Sequence, residues 1–343
     1  MSPRDPVADL RRIAFLLERT LEPTYRVRAF RSAANRAEST PRAELLDRAL
    51  AETLRQLPGI GETTARCITE SLAGVVPAYL QKLEATAQPL VEGGAALRAA
   101  LRGDCHTHSD WSDGGSPIRE MAMAARDLGH EYVVLTDHSP RLKVARGLSA
   151  ERLVQQLDVV AELNAELAPF RILTGIEVDI NIDGTLDQEP ELLARLDVVV
   201  ASVHSKLRMP SDEMTPRMVA AISNPHTDVL GHCTGRLVKG ERGRRPESEF
   251  DAEVVFAACA RFDVAVEINS RPERLDPPKR LLRLAVEAGC RFSIDTDAHA
   301  PGQLDWQVLG CERAARCGVG AESVINTWTA DDLLAWTANR GQS

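Results

Sequence analysis

Seven short apolar runs, at 101–106, 132–137, 172–178, 197–203, 228–231, 264–269 and 292–296, punctuate the larger part of this chain. Longer segments of helical periodicity, such as 117–128 and 150–167, separate them. Short continuous apolar strands alternating with helices are the pattern of a parallel sheet covered on its faces. Seven such units fit a closed barrel or an open doubly wound sheet. No G-x-G-x-x-G follows the first run, which weighs against a dinucleotide-binding sheet.

The first 85 or so residues carry no such runs and read as all helix. Asp5-Pro6 supplies a capping carboxylate and a proline at the first helical position. Val7, Leu10, Ile13, Ala14 and Leu17 then recur at helical spacing. Further helices are expected near 26–37, 42–56, from 63 onward and at 77–85, with a break at Leu57-Pro58-Gly59-Ile60-Gly61. Val91-Glu92-Gly93-Gly94 suits a connector. The expected organisation is a helical domain at 1–86, a linker at 87–100 and an α/β domain at 101–343.

No run of 18 apolar residues exists, so no membrane span is expected. The start, Met1-Ser2-Pro3-Arg4-Asp5, lacks the pattern of a signal peptide. The seven cysteines are odd in number and form no C-x-x-C, which excludes a disulfide framework and a cysteine zinc ribbon and fits a cytoplasmic protein. The net charge of −9 is unevenly spread: residues 1–102 sum to +3 and the remainder to −12. An acidic chain is not an obvious nucleic-acid binder, but carboxylates that hold cations reverse their local sign.

Six of the eight histidines sit at or just beyond the end of an apolar run. His106 and His108 close the first run; on an extended backbone residues two apart point the same way. His138, His204 and His232 follow the second, fourth and fifth runs, Glu177 lies near the end of the third, and Asp297 and His299 follow the seventh. In a parallel barrel the strand C-termini converge on one face, so that fold gathers these residues in one place. His130 and His226 fall outside the pattern and read as packed or surface residues. Imidazole with carboxylate suits zinc, manganese or iron.

His106-Thr107-His108, Thr136-Asp137-His138, Gly175-Ile176-Glu177, Ser202-Val203-His204, Gly231-His232 and Thr296-Asp297-Ala298-His299 resemble, in order, the motifs of the polymerase and histidinol phosphatase (PHP) superfamily. The resemblance covers roughly 101–330 and implies a distorted seven-stranded β/α barrel holding two or three divalent ions. It implies that His106, His108, Glu177 and Asp297 hold one ion. Glu177 as a bridge, with His204 and His232, would hold a second, and Asp113, His138 and His299 a third. Catalysis would rest on Glu177, His106, His108 and Asp297. Asp113 stands where some members carry histidine, and an oxygen ligand there tilts preference toward manganese. Asp104, Asp137, Glu267 and Asn269 are candidates to support the ligands from behind, since ligating imidazoles usually donate their other N–H.

Within that superfamily, Ser202-Val203-His204-Ser205, Asp212-Glu213-Met214-Thr215, 224–232, Thr234-Gly235-Arg236-Leu237 and Val266-Glu267-Ile268-Asn269 with Arg274-Leu275-Asp276 resemble the C-terminal domain of bacterial family X DNA polymerases. Residues 13–18, 25–34 and Leu57–Gly61 resemble the helix-hairpin-helix domain that opens those polymerases. A Gly-Ile-Gly turn exposes backbone N–H groups at a helix start, a place for phosphate. The residues expected at DNA are Arg26, Arg28, Arg31, Gly59, Ile60 and Gly61, with Arg36 beside them. Arg236, Lys239, Arg242, Arg244 and Arg245, just after His232, are candidates to grip substrate phosphate.

The resemblance has two departures. No room remains between the two domains for a nucleotidyltransferase core, so polymerase activity is not expected. The helix after the hairpin reads Glu62-Thr63-Thr64-Ala65-Arg66-Cys67-Ile68, without the lysine that some relatives use as a lyase nucleophile. The leading expectation is a metal-dependent phosphoesterase acting on DNA in repair: a 3′–5′ exonuclease, with 3′-phosphates or abasic sites as further targets. The alternatives are a small-molecule phosphatase, such as one for histidinol phosphate, and a non-catalytic DNA-binding adaptor. Protein partners are not indicated.

Overall fold

The computed structural model describes residues 4–240 and 243–340. The chain divides into two compact units, Met1–Pro89 and Leu90–Ser343.

The first unit is all helix: α1 (Pro6–Arg19), α2 (Thr24–Glu38), α3 (Arg42–Leu50), α4 (Glu62–Leu72) and α5 (Ala78–Thr86). Asp5 caps α1 by accepting from the Val7 amide at 3.0 Å, with Pro6 in the first turn. Leu10, Ile13, Ala14 and Leu17 face a core shared with Phe30, Ala33, Ala34, Leu45, Ile60 and Ile68. The helix expected over 42–56 stops at Leu50. There Glu52 takes a left-handed conformation (φ 57°) and the Thr53 amide bonds back to the Arg48 carbonyl. A single 3₁₀ turn, Leu54–Gln56, then leads into the hairpin. Gly59 turns it at φ +85°, a conformation that strains other residues. Gly61 caps α4, its amide donating to Thr64 Oγ1 at 2.9 Å.

The second unit is built on seven parallel strands in the order of the chain: β1 (Gly103–Thr107), β2 (Tyr132–Leu135), β3 (Arg171–Asp179), β4 (Val198–Ser202), β5 (Val229–Leu230), β6 (Ala265–Asn269) and β7 (Phe292–Asp295). The nine-residue β3 joins the two arcs, pairing with β2 through Arg171–Thr174 and with β4 through Gly175–Asp179. Closure between β7 and β1 is made largely by side chains. Asp295 accepts from the Cys105 amide at 2.8 Å, Thr296 Oγ1 donates to Asp104 at 2.5 Å, and Thr107 bridges Ala298. The barrel is thus nearly closed, which is the first of the two arrangements that the alternation of short runs and helices allows and the one that the family resemblance implies.

The helices of this unit are α6 (Ala95–Ala100), α7 (Ile118–Asp127), α8 (Ala150–Leu167), α9 (Pro190–Leu193), α10 (Ser211–Ile222), α11 (Ala252–Arg261), α12 (Lys279–Glu287), α13 (Gln307–Arg316) and α14 (Ala330–Arg340). The stretch expected as linker, 87–100, is therefore helical in its second half. Its alanines favour helix, and Leu97 is buried in the core of this unit. No helix among the described residues is long and apolar enough to cross a membrane.

Candidate metal centre

Strand geometry gathers the histidines. His106 lies at the next-to-last position of β1 and His108 just beyond its end, two residues on, so both rings turn to the same side. His138, His204, His232, Asp297 and His299 follow β2, β4, β5 and β7, and Glu177 lies within β3. Parallel strands all deliver their C-termini to one face, which becomes the floor of the site.

Glu177 is the hub. Its fully buried carboxylate lies 2.8 Å from His232 Nε2, 2.8 Å from His138 Nδ1, 3.2 Å from His204 Nε2 and 3.4 Å from His106 Nε2. Asp297 Oδ1 is 3.3 Å from His108 Nε2. Asp113 Oδ1 lies 3.2 Å from His299 Nε2 and 3.5 Å from His138 Nε2. All nine residues expected to hold metal thus lie at this face. Three groups place their donor atoms within 4.8 Å of one another: His108, Asp113, His138 and His299; His106, His108 and Asp297; and His138, Glu177 and His204. His108 and His138 each stand in two groups, so the set is shared more widely than three separate sites would be.

The donors fit divalent cations. His106 Nε2, both ring nitrogens of His108, Glu177 Oε2 and Asp113 Oδ1 are buried and make no hydrogen bond. Buried polar atoms are normally satisfied, and lone pairs converging on one space are satisfied by a positive ion. The electrostatics agree. Against burial, His204, His106 and His138 hold Glu177 well below the usual carboxylate range. Burial, with His299 and His138 nearby, pushes His108 down to about 3, and burial with Arg274 pushes His232 down to about 4. His108 and His232 are thereby neutral beside an anionic carboxylate, the state that ligation requires, whereas at His106 burial opposes the proton but Glu177 and Glu267 outweigh it and hold the ring well above its usual value. His204 is raised to about 9: burial opposes its proton, but Glu177 and Asp179 outweigh burial. A proton there would compete with a metal ion.

The supporting residues divide. Glu267 accepts from His106 Nδ1 at 2.6 Å and from the His232 amide at 2.5 Å, and Asn269 bridges Glu267 and Asp297 at 3.2 and 3.3 Å. Asp104 accepts the His106 amide at 3.1 Å. Asp137 touches no histidine side chain; it accepts from Ser109, Ser112 and Gln156 and so fixes the loop that carries Asp113. Glu267→Gln is expected to lower metal affinity by about 10- to 100-fold while leaving the fold intact. Metal titration followed by thermal unfolding would measure this, and unchanged affinity would remove Glu267 from the site.

Three contributors were not anticipated. Asp179 accepts from His204 Nδ1 at 2.5 Å; its position two residues beyond Glu177 on the same strand was the available signal. Arg274 Nε donates to Asp297 Oδ2 at 3.1 Å and keeps Nη1 buried without a hydrogen bond. Arg271 Nη1 lies 3.1 Å from His299 Nδ1 and donates to the Asp297 carbonyl at 3.0 Å. Arg274 lies in a stretch that carries the family resemblance, but no spacing rule assigns either arginine to the site, because the turn after β6 alone brings them to β7. His130 is a core residue, pushed down to about 3 by burial and Arg98 and bonded to Gln307, and His226 lies outside the cluster.

The arginine segment after His232 is less available than its composition suggests. Arg236 is spent on the Arg274 and Leu275 carbonyls and on Glu247, and Arg245 donates to the Gly235 carbonyl at 2.6 Å. Lys239 and Arg244 are exposed, and Arg242 lies outside the described residues.

In the helical unit, Arg31 is turned inward. It makes a two-pronged pair with Glu18 at 2.9 and 2.8 Å, with the side chains 11% and 4% exposed, so it holds α2 to α1 and does not face a ligand. Arg31→Ala is expected to destabilise this unit by about 3 kcal/mol, because a buried carboxylate loses its guanidinium. Urea unfolding of the variant would show it; an unchanged midpoint would make the pair dispensable. Arg26 is tied to Glu22 and Tyr79, and Arg36 donates to the Pro58 carbonyl at 3.2 Å, bracing the hairpin. Arg28, Gly59 and Gly61 are exposed, and Ile60 is buried.

Comparison with known proteins adds to this geometry. Residues 104–271 match the family described as PHP domain, and residues 1–74 match the family described as helix-hairpin-helix domain. The DNA polymerase/3′-5′ exonuclease PolX of Bacillus subtilis is 42% identical over 236 residues, which are 69% of this chain and 41% of that protein. The chain therefore spans less than half the length of that relative. A probable phosphatase of Acetivibrio thermocellus is 30% identical over 205 residues, 57% of this chain and 78% of that protein. A solved histidinol phosphate phosphatase from Lactococcus lactis, complexed with zinc, L-histidinol and phosphate, is 19% identical, with a TM-score of 0.46 over 64% of this chain and 95% of that one.

Proposed function

Because the chain belongs to the PHP domain family, we propose that it is a metal-dependent phosphoesterase that acts on DNA, removing nucleotides or phosphate from 3′ ends. The observation that carries the DNA reading is the pairing of a helix-hairpin-helix domain with a PHP barrel in one chain. A small phosphate ester does not require a domain that suits a nucleic-acid backbone. The two matched regions leave only residues 75–103 between them, too few for a nucleotidyltransferase core, so polymerase activity is not part of the proposal.

Two or three divalent ions would be held by His106, His108, Asp113, His138, Glu177, His204, His232, Asp297 and His299. Zinc, manganese and iron suit this donor set. Such ions supply Lewis acidity, acidifying water and neutralising phosphoryl charge. The chain's own groups prepare the place. Glu177 contributes the central negative charge, Glu267 and Asp179 fix the rings of His106 and His204, and Asn269 and Arg274 hold Asp297. Arg271 and the unbonded Nη1 of Arg274 stand beside the donors as guanidinium partners for phosphoryl oxygens. Hydrolysis of this kind needs no covalent protein nucleophile.

The small-molecule reading draws support from the 30% identity to a probable phosphatase. One assay separates the two: labelled oligonucleotides ending in 3′-hydroxyl or 3′-phosphate, or carrying an abasic site, beside histidinol phosphate, each with manganese or zinc. The DNA reading expects turnover of at least one oligonucleotide and little of histidinol phosphate. The reverse result would replace it. No turnover of either, with metal bound, would favour the non-catalytic adaptor.

A further inference from the structure

From the loops that follow β2, β3 and β4, we infer a single-strand-binding rim beside the metal centre, in which Lys143, Lys206 and Arg208 contact backbone phosphates and Val144 and Ile182 meet the bases or sugars between them. This rests on the nucleic-acid reading above and names the residues that would make a polymer the substrate.

Each loop leaves the barrel from a residue of the centre: the first after His138, the second after Asp179, the third after His204. All three therefore stand on the face where the donors converge. They are also braced to one another. Arg141 Nη1 donates to Asn181 Oδ1 at 2.9 Å, joining the first two. The buried Arg217 donates to the carbonyls of Asn181 and Ser205, both at 2.9 Å, and to that of Ile180, joining the second to the third. Ser248 Oγ ties the third to the segment after β5 through the Leu207 carbonyl at 2.8 Å. At the base of the first loop the Leu148 amide bonds to the His138 carbonyl at 2.7 Å. Gly147 there leaves no room for a side chain, since a Cβ would lie 1.8 Å from the Ser139 oxygen. The tips are thus held by a rigid frame.

What the frame presents is unusual for a solvated edge. Val144 is 91% exposed and Ile182 49%. Lys143, Lys206 and Arg208 are exposed and make no ion pair or hydrogen bond through their side chains among the described residues. Of the acids on these loops, Glu189 and Glu191 stand exposed at the start of α9. Asp183 accepts from Thr185 in its own loop, Asp187 accepts from Ser139 and the Arg141 amide, and Asp212 and Glu213 lie in the first turn of α10. Exposed cations on the first and third loops, with apolar tips on the first and second, suit a strand whose phosphates alternate with apolar sugar and base faces. A small phosphate ester at the donors would leave this rim unused.

The test is a salt titration of binding, by fluorescence anisotropy, with the full chain and a labelled, cleavage-resistant phosphorothioate oligothymidylate. For single strands each neutralised phosphate contributes about 0.7 to the slope of log affinity against log salt, so the triple variant Lys143→Ala, Lys206→Ala, Arg208→Ala should lower that slope by about 2. Its affinity at low salt should fall roughly tenfold or more. Lys143→Arg with Lys206→Arg should keep the slope, and Val144→Ser should weaken binding without changing it. Circular dichroism of the triple variant should match the parent, since all three residues are exposed. An unchanged slope in a chain that otherwise binds the strand overturns the rim and leaves the DNA reading standing. Failure of the intact chain to bind any strand overturns both.

Discussion

Glu177→Ala is expected to lower turnover by at least about a thousandfold, roughly 4 kcal/mol of activation free energy. The carboxylate meets four imidazoles at 2.8 to 3.4 Å, so its removal strips the charge around which the donors are arranged. No neighbouring side chain can replace it, because Glu267 and Asp179, the nearest other acids on β3 and β6, are committed to His106 and His204. The fold should survive. The apolar side chains of Ile176 and Val178 flank Glu177 on β3 and lie in the hydrophobic core. The thermal shift produced by added manganese or zinc should shrink, since metal stabilises only what it binds. Turnover, metal content and circular dichroism together decide the matter: near-normal activity would mean that Glu177 does not join the ions.

Why this hub could be seen in the sequence, and its supports could not, follows from how each is encoded. Strand C-termini in a parallel barrel converge whatever the details of the strands, so residues at the ends of apolar runs come together as a class. The runs themselves were legible because continuous apolar stretches of that length are buried on both faces. Residues such as Arg271, Arg274 and Arg31 carry no such mark. Arg271 and Arg274 reach Asp297 only because β6 and β7 are neighbours and the turn between them folds back. Arg31 reads as one of several arginines on α2, and only the packing of α2 on α1 shows that it faces Glu18. Composition similarly overstated the segment after His232, where Arg236 is consumed by the carbonyls of a neighbouring turn. Short-range pattern specifies which face a residue occupies; it does not specify which partner waits there.

Removing residues 1–89 is expected to weaken DNA binding by roughly one to two orders of magnitude at low salt and to flatten its salt dependence, while hydrolysis of a small phosphate ester continues. The remaining unit keeps its own cores, since the apolar cluster of the helical unit is built from residues between Val7 and Leu83. With Arg31 and Arg26 engaged within the unit, the cations left to meet phosphate beside the hairpin are Arg28, Arg55 and Arg66, all exposed. The two glycines of the hairpin separate binding from folding. Alanine at Gly59 would be forced to φ +85°, at a cost of about 1 kcal/mol, and would approach Ser32 at 3.5 Å, so lost binding there could follow from strain. Alanine at Gly61 meets nothing within 4 Å and sits in ordinary extended backbone, so the unit should keep its stability. A Gly61→Ala variant that unfolds normally but binds DNA several-fold more weakly therefore points to a methyl crowding a phosphate at the start of α4. If that variant and the truncated chain both bind DNA as the full chain does across the salt series, the hairpin is structural and the rim of the barrel carries the strand alone.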